Sequence, residues 1–341
     1  MDPLDVVALT RRLVDVESTT GQEAVVCAMV GEELERRGYV VTRQTVTDGR
    51  VNLLATDGVP EVVLSTHMDC VPPFSPSRVD GASIHGRGSC DAKGILVSQL
   101  AAVEALRAAG ERRVGLLFLV GEERGSDGAM IADQLSTGAT RCLVNGEPTE
   151  GKLALGHRGV VRVKLHASGR AAHSGYPHLG ESAIEKLLDA LEQVRRMSLP
   201  IDTVLGPTQV NIGAISGGLA PNVVPPAASA DLLFRIVTPY EDVLAALEPV
   251  RALVDVEYVY HVPCLHMATL DGFDREVVGY TTDAPLLNAW GTRLMYGPGS
   301  IHVAHTDHES VAIADLHRAV EDYQHIARTL LARPQGLPSI Q

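Results

Sequence analysis

Three apolar runs that do not alternate constrain this chain most: Glu61–Thr66, Val114–Val120 and 141–146. A strand open to water on one face reads apolar-polar-apolar, whereas an unbroken β-branched and aliphatic run needs cover on both faces. Between these runs lie stretches with helical spacing. Asp2-Pro3 reads as a helix opening, and Thr20-Gly-Gln-Glu23 as a capping box for a second helix that stops at Gly38. Further helices are predicted over 93–109 and 127–135, and further strands over 39–42 and 51–55. Strands alternating with helices predict an α/β fold, a mostly parallel sheet with helices on both faces.

The rhythm changes after about residue 157. An alternating strand at 159–167, a helix at 181–197, strands at 208–215 and 227–237, a helix at 240–252 and a strand at 254–262 follow in order. This is the βαββαβ sequence of a ferredoxin-like module. After about residue 270 a helix, a strand at 293–297 and a long C-terminal helix to about 332 are predicted, with an unstructured tail over Pro334–Gln341. The expected organisation is one α/β domain, 1–157 and 269–341, interrupted by an inserted lid or dimerisation module over 158–268.

With 341 residues and 45% of them hydrophobic, the chain can fill two cores. Its 29 basic against 42 acidic residues give −13, which argues against nucleic acid as a partner. The five cysteines are odd in number and form no C-x-x-C, so neither a disulfide framework nor a zinc ribbon is signalled. No apolar run approaches a membrane span, and the acidic start does not resemble a secretion signal. The expectation is a soluble, cytoplasmic protein without a membrane partner.

Candidate chemistry collects just past predicted strand ends or in glycine-rich loops, which in a parallel sheet share one edge. The clusters are His67-Met-Asp69, Gly86-Arg-Gly-Ser-Cys-Asp91-Ala-Lys-Gly94, Gly121-Glu122-Glu123, Asn145-Gly-Glu147-Pro148, and Gly297 to Glu309 with His302, His305 and His308. Each has an ordinary reading. Asp91 could be a helix cap, Glu122-Glu123 a solvated turn, and Glu147 loop polarity. Together they place five carboxylates at one edge, and neighbouring carboxylates strongly resist joint ionisation. Two divalent cations would neutralise them, with nitrogen and oxygen ligands suited to zinc and to cobalt or manganese as substitutes. Asp69, two residues from His67 on an extended backbone, suits the carboxylate that orients a metal-bound imidazole.

The set HMD, GRGSCDAKG, GEE, GEP and GPG…AH resembles the M20 metallopeptidases, which include acetylornithine deacetylase, succinyl-diaminopimelate desuccinylase, aminoacylase and glutamate carboxypeptidase. Ala172-His-Ser174, Gly217-Gly218 and Asn222-Val-Val-Pro225 extend the resemblance through the inserted module. It implies that Asp91 bridges two ions, that His67 and Glu147 complete one site, and that Glu123 and His305 complete the other. It makes Glu122 the general base. His302 stays open as an alternative to His305, because the acid that follows in the family pattern here comes one place late, at Glu309. The resemblance further implies His173 as an oxyanion-stabilising residue from a partner subunit in a homodimer formed through the inserted module. It implies Arg235 as the grip on a substrate carboxylate, Asn222 as a hydrogen-bond donor, and Gly299 and Ser300 as backbone donors.

A dinucleotide or P-loop reading fails on missing glycines and lysine. A cysteine hydrolase built on Cys70 or Cys90 has no motif-supported base, and a non-catalytic scaffold is disfavoured by the intact ligand set. The expected function is zinc-dependent hydrolysis of an N-acyl amino acid of the acetylornithine kind. A dipeptidase, carboxypeptidase or succinyl-diaminopimelate desuccinylase on a short peptide or related amide is the alternative.

Overall fold

The computed structural model describes residues 4–47 and 49–333. The Asp2-Pro3 opening and the Pro334–Gln341 tail lie outside them. In chain order the principal elements are α1 (Val6–Val14), α2 (Ala24–Arg36), β1 (Val40–Thr47), β2 (Arg50–Thr56), β3 (Val62–His67), α3 (Lys93–Ala108), β4 (Val114–Leu119), α4 (Asp127–Ala132) and β5 (Cys142–Asn145). Then come β6 (Gly159–Ser168), α5 (Ala183–Arg196), β7 (Gln209–Gly217), β8 (Ala227–Ile236), α6 (Tyr240–Ala246), β9 (Asp255–Val262), β10 (Thr292–Met295) and α7 (Ile313–Leu331). The chain forms two compact units: one from Met1–Leu155, Met267–Val278 and Thr282–Gln341, the other from Gly156–His266 with Gly279–Thr281.

The first unit is built on a six-stranded sheet in the order β1-β2-β4-β3-β5-β10. The four strands from β4 to β10 run parallel, and β1 and β2 are antiparallel additions at one side. The unalternating runs are explained by their cover. Leu64, Leu116, Phe118 and Val144 face a core shared with α1, α2, α3 and α7, whereas Val63, Leu117, Leu119 and Leu143 face α4 and the turn carrying Leu287 and Trp290. The C-terminal helix is tied to the sheet by Tyr323, whose hydroxyl donates to the Tyr296 carbonyl at 2.7 Å and accepts from Gln99 Nε2 at 3.4 Å. Replacing Tyr323 by Phe strands that carbonyl, so urea unfolding should show a loss of about 1–3 kcal/mol.

The second unit is a four-stranded antiparallel sheet in the order β7-β8-β6-β9, with α5 and α6 packed on one face. β8 alternates cleanly, with Ala228, Ala230, Leu232, Phe234 and Ile236 inward. Among the described residues, no helix is long and apolar enough to cross a membrane.

Three local expectations are corrected. Thr20-x-x-Glu23 does not cap α2: Glu23 sits at the N-cap position with no capping bond, because its carboxylate accepts from Arg50 and Gly21 N. The helix expected after residue 270 is a strand, Arg275–Val278, followed by single 3-10 turns at Ala284–Leu286 and Asn288–Trp290. Pro285 at the start of the first turn and Gly291 just past the second leave no room for a longer helix. The predicted helix at 127–135 loses its regular geometry after Ala132 and ends in a 3-10 turn.

Candidate metal centre

The parallel strands deliver their C-terminal ends to one edge. His67 is the last residue of β3 and Asn145 the last of β5, two before Glu147. Glu122 and Glu123 follow β4, not on strand but in a 3-10 turn that begins after Gly121 at φ +80°. Asp91 precedes α3, in a loop that is itself held by Glu309. One Glu309 oxygen accepts from the N–H groups of Gly88 (2.8 Å), Asp91 (3.1 Å) and Cys90 (3.2 Å), and the other takes Arg87 Nη1 at 2.5 Å. Gly88, at φ +87°, has no space for a side chain, since a Cβ would stand 2.6 Å from Cys70 Sγ.

Asp91 is the centre of the cluster. Its Oδ1 lies 2.9 Å from His67 Nε2 and its Oδ2 3.3 Å from His305 Nε2. His305 Nε2 also reaches Glu123, 2.9 Å from Oε2. Ligand atoms of His67, Asp91 and Glu123 all lie within 4.8 Å of one another. Asp91, with one oxygen toward each imidazole, is therefore placed to be shared by two cations. His305 adopts φ +61°, a left-handed conformation uncommon outside glycine that concentrates at functional sites. The alternative, His302, does not touch Asp91 or Glu123; its backbone N–H donates to Ser300 Oγ at 3.4 Å.

Asp69 does two jobs. Its carbonyl lies 3.0 Å from His67 Nδ1, which leaves Nε2 for the cluster. Its carboxylate accepts from Glu122 N at 3.1 Å, Glu123 N at 3.2 Å and Thr20 Oγ1 at 2.7 Å. Glu147 is buried at the same edge and accepts weakly from Asn145 Nδ2 at 3.4 Å, outside the tight group of donor atoms.

The electrostatics follow from crowding. Burial pushes Glu122 and Glu147 well above the usual carboxylate range, with the Glu147 charge adding to the rise at Glu122. Burial, then the charge of Asp91, raises Glu123. Burial also raises Asp91, but bonds to His305 and His67 outweigh it and hold the carboxyl below its ordinary value. His305 is pushed up to about 10 by Asp91 and Glu123. Such a set of carboxylates with two aligned imidazole Nε2 atoms and no thiolate fits divalent cations of the zinc, cobalt or manganese type.

Two residues that matter here were not assigned from the sequence. Glu309 is the anchor of the Asp91 loop; the motif spacing exposed its position but not its partners, which are 218 to 222 residues away. Asp283 is buried, with its Oδ1 lacking a hydrogen-bond partner among the described residues; burial pushes it to about 7, and its charge raises Glu122 and Glu147 further. It stands in a stretch read as helix, so no strand-end signal marked it.

The remaining expected residues are placed as follows. Gly299 offers its carbonyl to Glu150 N at 2.8 Å, and Ser300 Oγ donates to Glu150 at 2.6 Å, so both tie a neighbouring loop in the first unit. In the second unit His173 and Asn222 are exposed neighbours, since Ser174 N donates to the Asn222 carbonyl at 3.0 Å. Arg235 projects from the half-buried face of β8 and has no carboxylate partner among the described residues.

A carboxylate between two imidazoles, with a further carboxylate beside it, at the C-terminal edge of a parallel sheet is a donor set able to hold divalent cations. The family described as Peptidase family M20/M25/M40 matches residues 63–329. A protein of Aspergillus clavatus named "Probable carboxypeptidase" is 35% identical over 95% of this chain and 88% of its own length. A tripeptidase from Staphylococcus aureus has the same fold, with TM-score 0.79, 21% identity and coverage of 96% of this chain and 99% of that one. So does the Bacillus subtilis YXEP protein, described as a dinuclear metal binding peptidase from the M20 family, with TM-score 0.71, 14% identity and coverage of 96% and 97%. The chain belongs to the M20/M25/M40 peptidase family.

Proposed function

We propose that this chain is a dinuclear-metal hydrolase of the carboxypeptidase kind, cleaving the amide that joins a C-terminal amino acid to the rest of a short peptide. The observation that carries the reading is Asp91 between His67 and His305, with Glu122 one residue from Glu123. His67, Glu147 and Asp91 would hold one zinc ion, and Asp91, Glu123 and His305 the other. Bound there, the ions supply Lewis acidity toward the scissile carbonyl and acidify water. Glu122 is the carboxylate left over: it takes a proton from the attacking water and returns it to the departing amine nitrogen. Asp69 fixes the tautomer of His67 and the turn on which Glu122 stands.

The unpaired guanidinium of Arg235 is suited to a two-pronged contact with a substrate α-carboxylate. His173 supplies a donor to the developing oxyanion, and Asn222 beside it a further hydrogen bond. Pairing of two chains through the second unit belongs to the same reading. The sequence by itself favours an N-acyl amino acid deacylase; the relatives named carboxypeptidase favour the peptide. The two substrates share the reacting fragment, an amide nitrogen on a carbon bearing a free carboxylate.

The test is a substrate panel with zinc: an N-blocked dipeptide, its C-terminal amide, an unblocked dipeptide and N-acetyl-ornithine. Cleavage of the N-blocked acid but not its amide is expected, abolished by a chelator and restored by zinc. Cleavage of the C-terminal amide at the same rate, or full activity in chelator, would reject the proposal.

A further inference from the structure

The catalytic turn is a poor structure by itself. Glu122–Arg124 is a single 3-10 turn between a left-handed Gly121 and a left-handed Gly125, and it must carry a metal ligand and a proton carrier in adjacent positions. Something outside the turn must hold it.

Arg50, the first residue of β2, is buried against Glu23, which is fully buried. Its Nε and Nη2 donate to the two Glu23 oxygens at 2.8 and 2.7 Å, and its Nη1 and Nη2 donate to the two Asp127 oxygens at 2.5 and 3.0 Å. Asp127 is where the loop leaves the turn for α4. Gly121 lies directly on this pair: a Cβ there would overlap Asp127 Oδ1 and stand 2.8 Å from Arg50 Nη2. Through Glu23 a second line of bonds runs to the same turn. Glu23 Oε2 accepts from Gly21 N at 2.7 Å; the adjacent Thr20 donates to Asp69 Oδ2; and Asp69 accepts from Glu122 N and Glu123 N. Asn52, two residues along β2, closes the loop's base by accepting from Val120 N at 3.3 Å and donating to the Gly128 carbonyl at 2.8 Å.

We propose that Arg50 is a positioning residue of the metal centre, bonding through Asp127 and through Glu23–Thr20–Asp69 to the turn that presents Glu122 and Glu123. The inference rests on the metal-centre reading but not on the substrate. A lysine keeps the charge but cannot make four forked bonds to two carboxylates, so the structure assigns this task to a guanidinium.

The test compares Arg50→Lys with Arg37→Lys, a buried arginine paired with Glu33 and Glu104. Amide hydrogen exchange in the metal-free protein should show Glu122 and Glu123 opening about tenfold faster in Arg50→Lys and unchanged in Arg37→Lys. Zinc titration should show one of two binding steps weakened about 10–100-fold in Arg50→Lys alone. Unchanged exchange and zinc affinity in Arg50→Lys, or equal changes in both variants, would overturn the assignment. If Arg50→Lys does not fold, Asp127→Asn, which weakens only the direct line, is held to the same two measurements. A parent protein that takes up no zinc would sink the metal-centre reading, and the exchange comparison would still decide whether Arg50 holds the turn.

Discussion

Glu122→Gln is expected to lower turnover by about 10²–10⁴-fold while keeping both metal positions filled, and Glu123→Gln to lose metal from the position it shares with His305. The two residues are neighbours in one short turn, yet their surroundings differ. Glu123 is bonded to His305 Nε2 at 2.9 Å and belongs to the compact donor group with Asp91 and His67. Among the described residues the Glu122 carboxylate makes no such bond, and its backbone N–H donates to Asp69. A neutral amide at 122 keeps the side chain's shape but cannot accept a proton, which is the whole of its proposed task. A neutral amide at 123 withdraws a negative charge from a cation site, and affinity falls with it. Metal content per chain after gel filtration, beside steady-state rates, separates the two. The reverse pattern would exchange their roles.

The parts of this molecule legible in sequence are those fixed by local pattern. The sheet's central strands were readable because burial on both faces leaves no polar alternation, and the clusters at their ends followed from parallel topology. What escaped was set by contacts far apart in the chain. Glu23 looks like the acid of a capping box, but its carboxylate is taken by Gly21 N and by Arg50, 27 residues on, and the second of these is invisible to local pattern. The stretch after residue 270 holds Gly272, Gly279, Pro285 and Gly291, and these breakers cut it into a short strand and two single turns where a helix is expected. Asp283, whose charge adds to the rise at Glu122 and Glu147, lies in that same stretch. The choice between His302 and His305 also lay beyond spacing, since it depends on a left-handed residue at 305 that turns one ring, and not the other, toward Asp91.

Glu309→Ala is expected to cost the first unit about 3–5 kcal/mol, because it strands a buried guanidinium rather than merely deleting a contact. Arg87 is 5% exposed; its other side-chain bond is a long one, Nε to the Pro73 carbonyl at 3.4 Å, so the charge keeps almost no compensation once the carboxylate is gone. The N–H groups of Gly88, Cys90 and Asp91 lose their acceptor at the same time. Arg87→Met should cost less, since Glu309 would still be surrounded by those three donors, which stabilise its negative charge in place of the guanidinium. Glu309→Gln should also cost about 3–5 kcal/mol, since its amide oxygen can still accept from the loop but its NH2 then faces Arg87, donor against donor, with the buried charge unbalanced. Trp290, the single tryptophan, is buried on the far face of the same sheet, so its fluorescence during urea unfolding reports this unit. An order in which Glu309→Ala is the mildest of the three would show that the Asp91 loop is held by something other than this carboxylate.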